Sequence, residues 1–308
     1  MDISVVVPVS GHFGDLEEIY TSYSRELDRT GRQYEFIFVD NGVGGKSYQL
    51  LQRLQERQPT VKVVKFNRVF GEAVALSAGF QKARGDVIIT LASFMQTHPE
   101  DLHKLLKEID GGSDLVIGWR YPRIDPFLNR LQSYAFNWIT RRMTAFPMHD
   151  LNCGLRVMRR KVVDEIPIYG DQFRFLPILA HRQGFRVKEV QVRHEQELGK
   201  TGVYGLGSYV RRMLDILTLF FLIKFTKKPL RFFGLIGSTI FGAGFLINIY
   251  LTVIRLMGNR IGDRPLLLLG VLLMVVGIQM VSIGLVGEII IFTHAEKLKE
   301  YNVEEFLE

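Results

Sequence analysis

The sequence contains a single cysteine, Cys153, among its 308 residues. One thiol excludes both a disulfide framework and a zinc site built from cysteines. The sequence also lacks the GxGxxG pattern of a dinucleotide-binding loop and the GxxxxGKS/T pattern of a P-loop, so neither kind of nucleotide site is supported. His12, His98, His103 and His149 show no metal-ligand spacing. No nucleic-acid-binding motif accompanies the net charge of +7, which a lipid or phosphate partner explains better.

Charged residues are absent from two long stretches near the C-terminus. The 23 residues between Arg231 and Arg255, and the 23 residues between Arg264 and Glu288, contain no Asp, Glu, Lys or Arg. About 20 helical residues cross a hydrocarbon layer of about 30 Å. The sequence therefore predicts an antiparallel transmembrane hairpin over residues 232–292. The alternative is a pair of buried helices in the core of a soluble domain.

Small and polar residues interrupt these two apolar stretches. Glycines on the first stretch provide a face for close helix packing: Gly234, Gly237, Gly242 and Gly244. Asn248 and Gln279 are polar residues at membrane depth, and they could form hydrogen bonds across the hairpin or between protomers. A homo-oligomer that forms through the hairpin is therefore one possibility.

The segments that flank the hairpin indicate how it meets the membrane. Residues 208–231 combine an apolar face with basic residues, which predicts an interfacial helix on anionic lipid. The alternative is a helix packed on the preceding domain. The Lys and Arg bias predicts a multi-pass protein of the inner membrane, with residues 1–207 and the tail 293–308 in the cytoplasm. The N-terminus has no signal-peptide pattern.

Residues 1–120 alternate between strand and helix patterns. Strands are predicted at ISVVVPV, YEFIFVD, VKVVKF, DVIITLA and DLVIGWR, and helices at 15–30, 46–57, 71–84 and 99–110. This order predicts an α/β domain, residues 1–207, with a mostly parallel sheet. Ligands of such sheets bind at the carboxyl ends of the strands.

Several motifs in this domain occur in a familiar order. They are VVVPVS, FIFVDNG, FNRVFGEAVALSAGFQKARGDVII, HPEDL, VIGWRY and DLNCGLRVMRRKVV, with Arg130, Ser133 and Asn137 between the last two. Together they resemble the family 2 glycosyltransferases of the polyisoprenyl-phosphate type, the relatives of dolichyl-phosphate mannose synthase. The resemblance covers nearly the whole chain and implies a GT-A fold. It also implies an inverting transfer of a sugar from a nucleotide-sugar donor to polyisoprenyl phosphate at the cytoplasmic membrane face, for surface glycans such as lipopolysaccharide.

The resemblance further implies roles for individual residues. It places the donor at Pro8, Asp40, Asn41, Arg68, Ser93, His194 and Lys200. It places the acceptor phosphate at Arg130, Ser133 and Asn137, which the i, i+3, i+7 spacing also puts on one helix face. It gives Asp150 and Arg120 catalytic roles near the phosphates. Several of these residues also have an ordinary structural alternative: a turn for Asp40 and Asp150, a solvated helix face for Arg130, and a surface ion pair for Arg120.

The sequence departs from the family pattern where a metal would bind. Relatives carry Asp-x-Asp after the fourth strand and commonly use Mg²⁺ or Mn²⁺, but Ala92-Ser93-Phe94 occupies that place. Asn41 replaces the second of two adjacent acids, and Ser10-Gly11-His12 replaces the residues that usually follow the first-strand proline. Three interpretations follow: a transferase that uses basic groups instead of a metal, a metal enzyme with acids from elsewhere such as Asp86 or Asp150, or a non-catalytic relative that binds lipid or a partner.

Overall fold

The computed structural model describes residues 1–10, 15–122, 148–166, 170–195, 229–258 and 265–294. The chain divides into two compact units, Met1–Ile216 with Glu300–Glu308, and Leu217–Lys299. Each unit is described by itself.

The described part of the first unit alternates strands with helices. The strands are β1 (Ile3–Val9), β2 (Tyr34–Asp40), β3 (Val61–Lys65), β4 (Val87–Thr90), β5 (Leu115–Arg120), β6 (Arg156–Arg159) and β7 (Val187–Val192). The α-helices are α1 (Leu16–Asp28), α2 (Gly45–Arg57), α3 (Glu72–Lys82), α4 (Leu102–Asp110), α5 (Arg160–Glu165) and α6 (Leu176–Arg182). Short 3₁₀ turns at Pro99–Asp101 and Gly170–Phe175 lead into α4 and α6.

The strands form one seven-stranded sheet in the order β3-β2-β1-β4-β6-β5-β7. Neighbouring strands are parallel except for β6, which runs antiparallel to both β4 and β5. The α/β fold with a mostly parallel sheet is therefore confirmed. The five strands predicted from the apolar runs are all present, and β6 and β7 are additional.

Local sequence explains why these elements form where they do. Every residue of β1 is buried, as expected for a central parallel strand covered on both faces. Helix α1 begins after Asp15, whose carboxylate accepts hydrogen bonds from the N–H groups of Glu17 and Glu18 at 3.0 and 3.1 Å. Pro99 opens the 3₁₀ turn that leads into α4, where a missing N–H has no consequence.

The sheet directions bring most strand carboxyl ends to one edge. These ends are Val9 of β1, Asp40 of β2, Lys65 of β3, Thr90 of β4, Arg120 of β5 and Val192 of β7. The antiparallel strand β6 begins at this edge, because Arg156 pairs with Thr90. We call this side of the sheet the carboxyl edge.

The described part of the second unit is a pair of antiparallel helices, α7 (Pro229–Leu256) and α8 (Pro265–His294). Both are long and apolar enough to span a membrane. Only 11% of the most apolar 18-residue stretch of each helix is buried. A helix pair in a soluble core would be largely buried, so this exposure favours membrane spans over the core alternative.

The two helices approach each other along glycines spaced seven residues apart. A Cβ atom on Gly237 would lie 2.7 Å from the carbonyl oxygen of Gly277, and one on Gly244 would lie 2.6 Å from that of Gly270. No side chain fits at such distances, so the glycines permit the backbone contact. Asn248 donates to the Gly244 carbonyl at 2.9 Å and contacts the Met274 sulfur at 3.4 Å. Its amide therefore bonds within the hairpin.

Candidate active site

Asp40 ends β2 at the carboxyl edge with one of its two carboxylate oxygens uncommitted. Oδ1 accepts hydrogen bonds from the N–H groups of Val43, at 3.0 Å, and Gly44, at 3.4 Å. The residue is fully buried, and Oδ2 has no hydrogen-bond partner among the described residues. Because a buried polar atom is ordinarily satisfied, this oxygen is a candidate acceptor for a ligand.

Asn41 fastens three loops of the carboxyl edge together. Its backbone N–H donates to the Val9 carbonyl at 2.9 Å, and its Nδ2 donates to the Ser10 hydroxyl at 3.2 Å. Its Oδ1 accepts from the Phe70 N–H at 2.9 Å. An amide both donates and accepts, so Asn41 joins the ends of β1 and β2 to the loop that follows β3.

Gly42 allows that loop to lie directly on the end of β2. Its φ of +70° suits glycine, and a Cβ atom there would lie 2.2 Å from the backbone carbon of Arg68. The Arg68 guanidinium lies 4.8 Å from the centre of the Phe70 ring, and Val69 and Phe70 are exposed. The contact brings Arg68 to the same edge as Asp40.

Pro8 completes this group at the end of β1. It pairs in register with Val39, and the next residue, Val9, pairs with Asp40. Pro8, Asp40, Asn41 and Arg68, which the sequence assigned to the donor, are thus brought together.

The segment after β4 is packed tightly against the turn before β6. The Gly154 N–H donates to the side-chain oxygen of Gln96 at 2.7 Å, and the Thr90 hydroxyl donates to the Gly154 carbonyl at 2.9 Å. A Cβ atom on Gly154 would lie 3.1 Å from the Cβ of Ala92. Ala92 therefore lies against this turn.

A segment after β7 joins the same edge. Thr97 forms an isolated antiparallel bridge with His194, and the His98 N–H donates to the Arg193 carbonyl at 3.2 Å. Ser93 and His194 are both buried. The structure thus places His194 beside the segment after β4, which contains Ser93. The resemblance assigned both Ser93 and His194 to the donor.

Asp101 holds this added segment in place. Its Oδ2 accepts from the Arg193 N–H at 2.7 Å, and its Oδ1 lies 2.8 Å from the Lys104 ammonium group. Burial by itself would raise the pKa of Asp101, but these contacts hold it below its usual value. The Arg193 guanidinium also donates to Glu100 at 2.9 Å. Arg193 is therefore a structural cation rather than a donor ligand.

Arg120 and Asp150 form a buried, bidentate ion pair. Arg120 Nε donates to Asp150 Oδ2 at 2.7 Å, and Arg120 Nη2 donates to Asp150 Oδ1 at 3.0 Å. Their side chains are 4% and 1% exposed. The pair lies at the end of β5 and is buried, whereas the structural alternative for Arg120 was a surface ion pair. Such fork-to-fork geometry fixes both side chains firmly.

Glu189 of β7 holds the backbone at Asp150 in place. The sequence analysis did not identify this residue. Its Oε1 accepts from the N–H groups of His149 and Asp150 at 2.9 and 2.8 Å, and its Oε2 lies 2.8 Å from His149 Nδ1. The His149 ring stacks on Trp119 at 4.2 Å. Glu189 lies opposite Ile117 of β5 because β7 pairs with β5 in that register. Strand β7 was not predicted.

Arg156 is a second buried cation at the carboxyl edge. Nε donates to the Cys153 carbonyl at 3.1 Å, Nη2 donates to the Leu151 carbonyl at 2.8 Å, and Nη1 donates to the Phe173 carbonyl. No carboxylate among the described residues forms an ion pair with it. Burial lowers its pKa to about 10, which leaves it charged at neutral pH. The sequence analysis placed it in a motif but assigned it no role.

Cys153 is buried beside this cation. Burial raises the pKa of its thiol to about 12, although the nearby Arg120 charge opposes the rise. A thiol with that pKa is protonated at neutral pH and is a poor nucleophile. Cys153 therefore packs in the turn before β6 and is not a nucleophile.

Residues 4–167 match the family model described as Glycosyl transferase family 2. The chain belongs to this family. Membership confirms the resemblance drawn from the motifs.

Two curated relatives extend along nearly the whole chain. A dodecaprenyl-phosphate galacturonate synthase of Rhizobium johnstonii is 28% identical over 96% of this chain and 89% of its own length. An undecaprenyl-phosphate 4-deoxy-4-formamido-L-arabinose transferase of Pseudomonas aeruginosa is 33% identical over 93% of this chain and 84% of its own. The similarity therefore includes the two apolar helices as well as the glycosyltransferase domain.

A solved structure supports the GT-A-type fold. A glucosyl-3-phosphoglycerate synthase of Mycobacterium tuberculosis aligns with a TM-score of 0.55 at 17% identity, over 71% of this chain and 79% of that one. At this identity the likeness concerns the fold alone. It agrees with the seven-stranded sheet of this family 2 glycosyltransferase.

Not every predicted site residue can be placed in this glycosyltransferase. Lys200 of the donor set and all three acceptor residues, Arg130, Ser133 and Asn137, lie outside the described residues. Most of the predicted interfacial helix, 208–231, does so as well. These assignments stay predictions.

The residues after β4 do not fit the metal that the family pattern implies. Ala92 and Phe94 carry no side-chain oxygen, whereas Mg²⁺ and Mn²⁺ take oxygen ligands. The described residues contain no group of three or more His, Cys, Asp or Glu that could hold a metal ion. Asp86 precedes β4 and therefore lies at the opposite end of that strand from Ala92.

Proposed function

We propose that this chain transfers a sugar from a nucleoside diphosphate donor to polyisoprenyl phosphate, in the synthesis of a cell-surface glycan. The observation that carries this proposal is the similarity, over nearly the full chain, to transferases named for dodecaprenyl-phosphate and undecaprenyl-phosphate acceptors. The two apolar helices support it, because a lipid acceptor lies in a membrane.

The chemistry requires little proton transfer. The acceptor phosphate is ionised at neutral pH, and one of its oxygens attacks the anomeric carbon of the donor sugar. A new carbon–oxygen bond forms on one face while the bond to the diphosphate breaks on the other, so the configuration inverts. The nucleoside diphosphate departs with the electron pair, and catalysis consists mainly of positioning and of stabilising its charge.

Arg120 and Asp150 suit a positioning role in this reaction. A carboxylate held by two hydrogen bonds from a buried guanidinium is a poor general base, because its lone pairs are engaged. The Arg120 guanidinium places a fixed positive charge at the end of β5, where it would attract a phosphate while Asp150 holds the side chain. We assign the acceptor phosphate to Arg120 together with Arg130, Ser133 and Asn137.

We place the protein in the inner membrane as a multi-pass protein, with the catalytic domain in the cytoplasm. The Lys and Arg bias of the flanking segments supports this orientation. Nucleotide-sugar donors are water-soluble, so the donor site must face an aqueous compartment. Residues 208–231 would contact anionic lipid at the same surface.

A second candidate function is a non-catalytic relative that binds lipid phosphate or a partner protein. The observation that favours it is the replacement of Asp-x-Asp by Ala92-Ser93-Phe94. The test is a transfer assay on the full chain in lipid nanodiscs with undecaprenyl phosphate and a panel of labelled UDP, GDP, CDP and dTDP sugars. Label in the lipid fraction supports the transferase; phosphate-lipid binding without transfer for any donor supports the second candidate and contradicts the first.

The donor assignment of Asp40 has its own test. Asp40→Asn keeps an oxygen for the Val43 and Gly44 N–H groups but puts an NH₂ donor in place of Oδ2. If Oδ2 accepts a hydrogen bond from the base or ribose, nucleotide affinity should fall by about tenfold to a hundredfold with the fold intact. Titration calorimetry of the full chain measures this, with the exposed Asp110→Asn as control. Equal affinity in wild type and Asp40→Asn would contradict the assignment.

We also propose that the chain forms a homo-oligomer through Gln279. This residue is near the middle of α8, is exposed on the helix surface, and forms no hydrogen bond within the described hairpin. A primary amide in hydrocarbon is costly to leave without a partner, and a glutamine can pair with its own copy because it both donates and accepts.

Gln279→Leu should therefore shift the assembly towards monomers. The number of subunits can be counted by photobleaching of labelled full-length protein in lipid vesicles. Ile278→Leu, an apolar exchange at the neighbouring exposed position, is the control and should leave the assembly unchanged. A wild-type monomer, or an oligomer that survives Gln279→Leu, would refute this interface.

A further inference from the structure

We propose that this glycosyltransferase binds the diphosphate of its donor without a divalent cation, using the positive charge of Arg156 and Arg68 at the carboxyl edge. The proposal rests on the transferase function proposed above. It arises from the mismatch between the metal that the family pattern implies and the residues that stand in its place.

The side chains after β4 cannot hold a hard cation. Ala92 and Phe94 offer carbon only, and Ser93 offers one neutral hydroxyl in a buried position. Mg²⁺ in nucleotide sites is normally held by at least one carboxylate in addition to the phosphates. The two carboxylates of Asp-x-Asp, which such a metal site depends on most, are therefore the groups that this chain lacks.

The nearby carboxylates are engaged elsewhere. Both oxygens of Asp150 are held by the Arg120 guanidinium. Asp101 is held by Arg193 and Lys104, and Asp86 lies at the far end of β4. Asp40 has one spare oxygen at the end of β2, and the donor assignment gives that oxygen to the base or ribose. Glu195, whose N–H donates to the Gln96 carbonyl at 3.1 Å, lies 3.8 Å from His98 Nε2. The described residues form no group of three or more His, Cys, Asp or Glu that could hold a metal ion.

The charge balance explains how a transferase can lose these acids and still bind a diphosphate. Two carboxylates and one divalent cation together contribute no net charge. The net charge around the diphosphate is therefore the same whether the two carboxylates and the cation are all present or all absent. Carboxylates without the metal would repel the donor, whereas neutral residues without the metal do not. Ala92 and Phe94 are neutral, so they do not repel the diphosphate when no metal is bound.

Arg156 supplies a fixed positive charge at the required place. It pairs in register with Thr90, the last residue of β4, so it stands next to the strand that leads into Ala92. Its guanidinium bonds to three backbone carbonyls, which hold it in place and carry no net charge themselves. A buried charge acts over a longer distance than an exposed one, because little water screens it.

Arg68 supplies a second, accessible charge. Its loop lies on Gly42 at the end of β2, and its guanidinium lies over the Phe70 ring. An exposed guanidinium can make two parallel hydrogen bonds to phosphate oxygens. Arg156 would therefore act through its field and Arg68 through contact.

The test is calorimetric titration of the full chain in nanodiscs with UDP, GDP, CDP and dTDP, each in EDTA and in excess Mg²⁺ or Mn²⁺. We expect one nucleotide to bind, with affinities in EDTA and in metal that agree within about threefold. Affinity that falls more than about tenfold in EDTA and returns with metal would overturn the proposal. Absence of binding by any nucleotide in every condition would instead refute the proposed transferase function.

Two matched variants separate charge from shape. Ala92→Asp/Phe94→Asp should weaken binding in EDTA by at least about tenfold and make binding respond to Mg²⁺ or Mn²⁺. Ala92→Asn/Phe94→Asn changes the shape almost equally but adds no charge, so it should bind about equally with and without metal. Equal behaviour of the two double variants in EDTA would contradict the charge argument.

Arg68→Gln tests the contact itself while leaving the fold of the buried sheet untouched. It should lower the affinity for the nucleoside diphosphate by about tenfold and the affinity for the corresponding nucleoside much less, because the nucleoside carries no phosphate. An equal loss for both ligands would mean that Arg68 does not act on the diphosphate.

Discussion

Arg120→Met should lower the free energy of unfolding by about 3 to 5 kcal/mol and abolish sugar transfer. The side chains of Arg120 and Asp150 are 4% and 1% exposed and share two hydrogen bonds of 2.7 and 3.0 Å. Removal of the guanidinium leaves a buried carboxylate whose charge is no longer compensated. Thermal unfolding of the variant and the transfer assay measure the two effects.

A double variant separates stability from function at this pair. Arg120→Met/Asp150→Leu removes both charges, and apolar replacement of a buried ion pair commonly restores most of the stability. We expect stability to return while transfer stays absent, because the acceptor phosphate has lost its guanidinium. Recovery of transfer in the double variant would show that the pair has a structural role only.

An exposed ion pair provides the matched comparison. Arg32 and Asp110 are joined at 2.8 Å, but their side chains are 33% and 51% exposed. Because water solvates both charges, Arg32→Met should cost less than about 1 kcal/mol and leave transfer unchanged. A similar loss for Arg32→Met and Arg120→Met would contradict the importance given to burial.

Gly42→Ala should lower stability by about 3 kcal/mol and weaken nucleotide binding by at least about tenfold. Two effects combine at this position. The φ of +70° is unfavourable for alanine, and the new Cβ would lie 2.2 Å from the backbone carbon of Arg68. The loop that follows β3 must move away, and Arg68 moves with it. Calorimetric titration with the bound nucleotide and thermal unfolding measure both consequences.

Gly31→Ala measures the stability cost of a positive φ alone, without a steric contact. Gly31 has nearly the same φ, +67°, but a Cβ atom there meets nothing within 4 Å. It should cost about 1 kcal/mol and leave nucleotide affinity as in wild type. If Gly42→Ala bound nucleotide as tightly as Gly31→Ala, the loop after β3 would not belong to the donor site.

Sequence patterns predicted the five strands that carry apolar runs and missed β6 and β7. Strands β1, β2 and β4 are covered on both faces, so they consist of nearly continuous apolar runs that stand out in the sequence. Strand β6 has only four residues and carries two arginines, and β7 lies at the sheet edge and carries Lys, Glu and Gln. Neither has the apolar run from which the other strands were recognised.

The same limit applies to the site. The resemblance assigned Asp40, Asn41 and Arg68 to the donor, and all three lie at or just after the ends of predicted strands. Glu189 was not identified, because its contact with His149 and Asp150 depends on the unpredicted pairing of β7 with β5. Arg156 was not identified either, since its burial and its bond to the Phe173 carbonyl depend on the fold rather than on the neighbouring sequence.

The sequence by itself determined the α/β class, the family and the two apolar helices, because these depend on periodicity and on motifs that are local in the chain. Tertiary structure alone decided which partner each polar side chain has. It joined Arg120 to Asp150 across 30 residues of chain and turned Asn248 into the hairpin. It also placed Arg156 beside the end of β4. The physical reason is that a hydrogen bond or an ion pair requires two groups within about 3 Å, and only the folded backbone sets such distances between residues far apart in sequence.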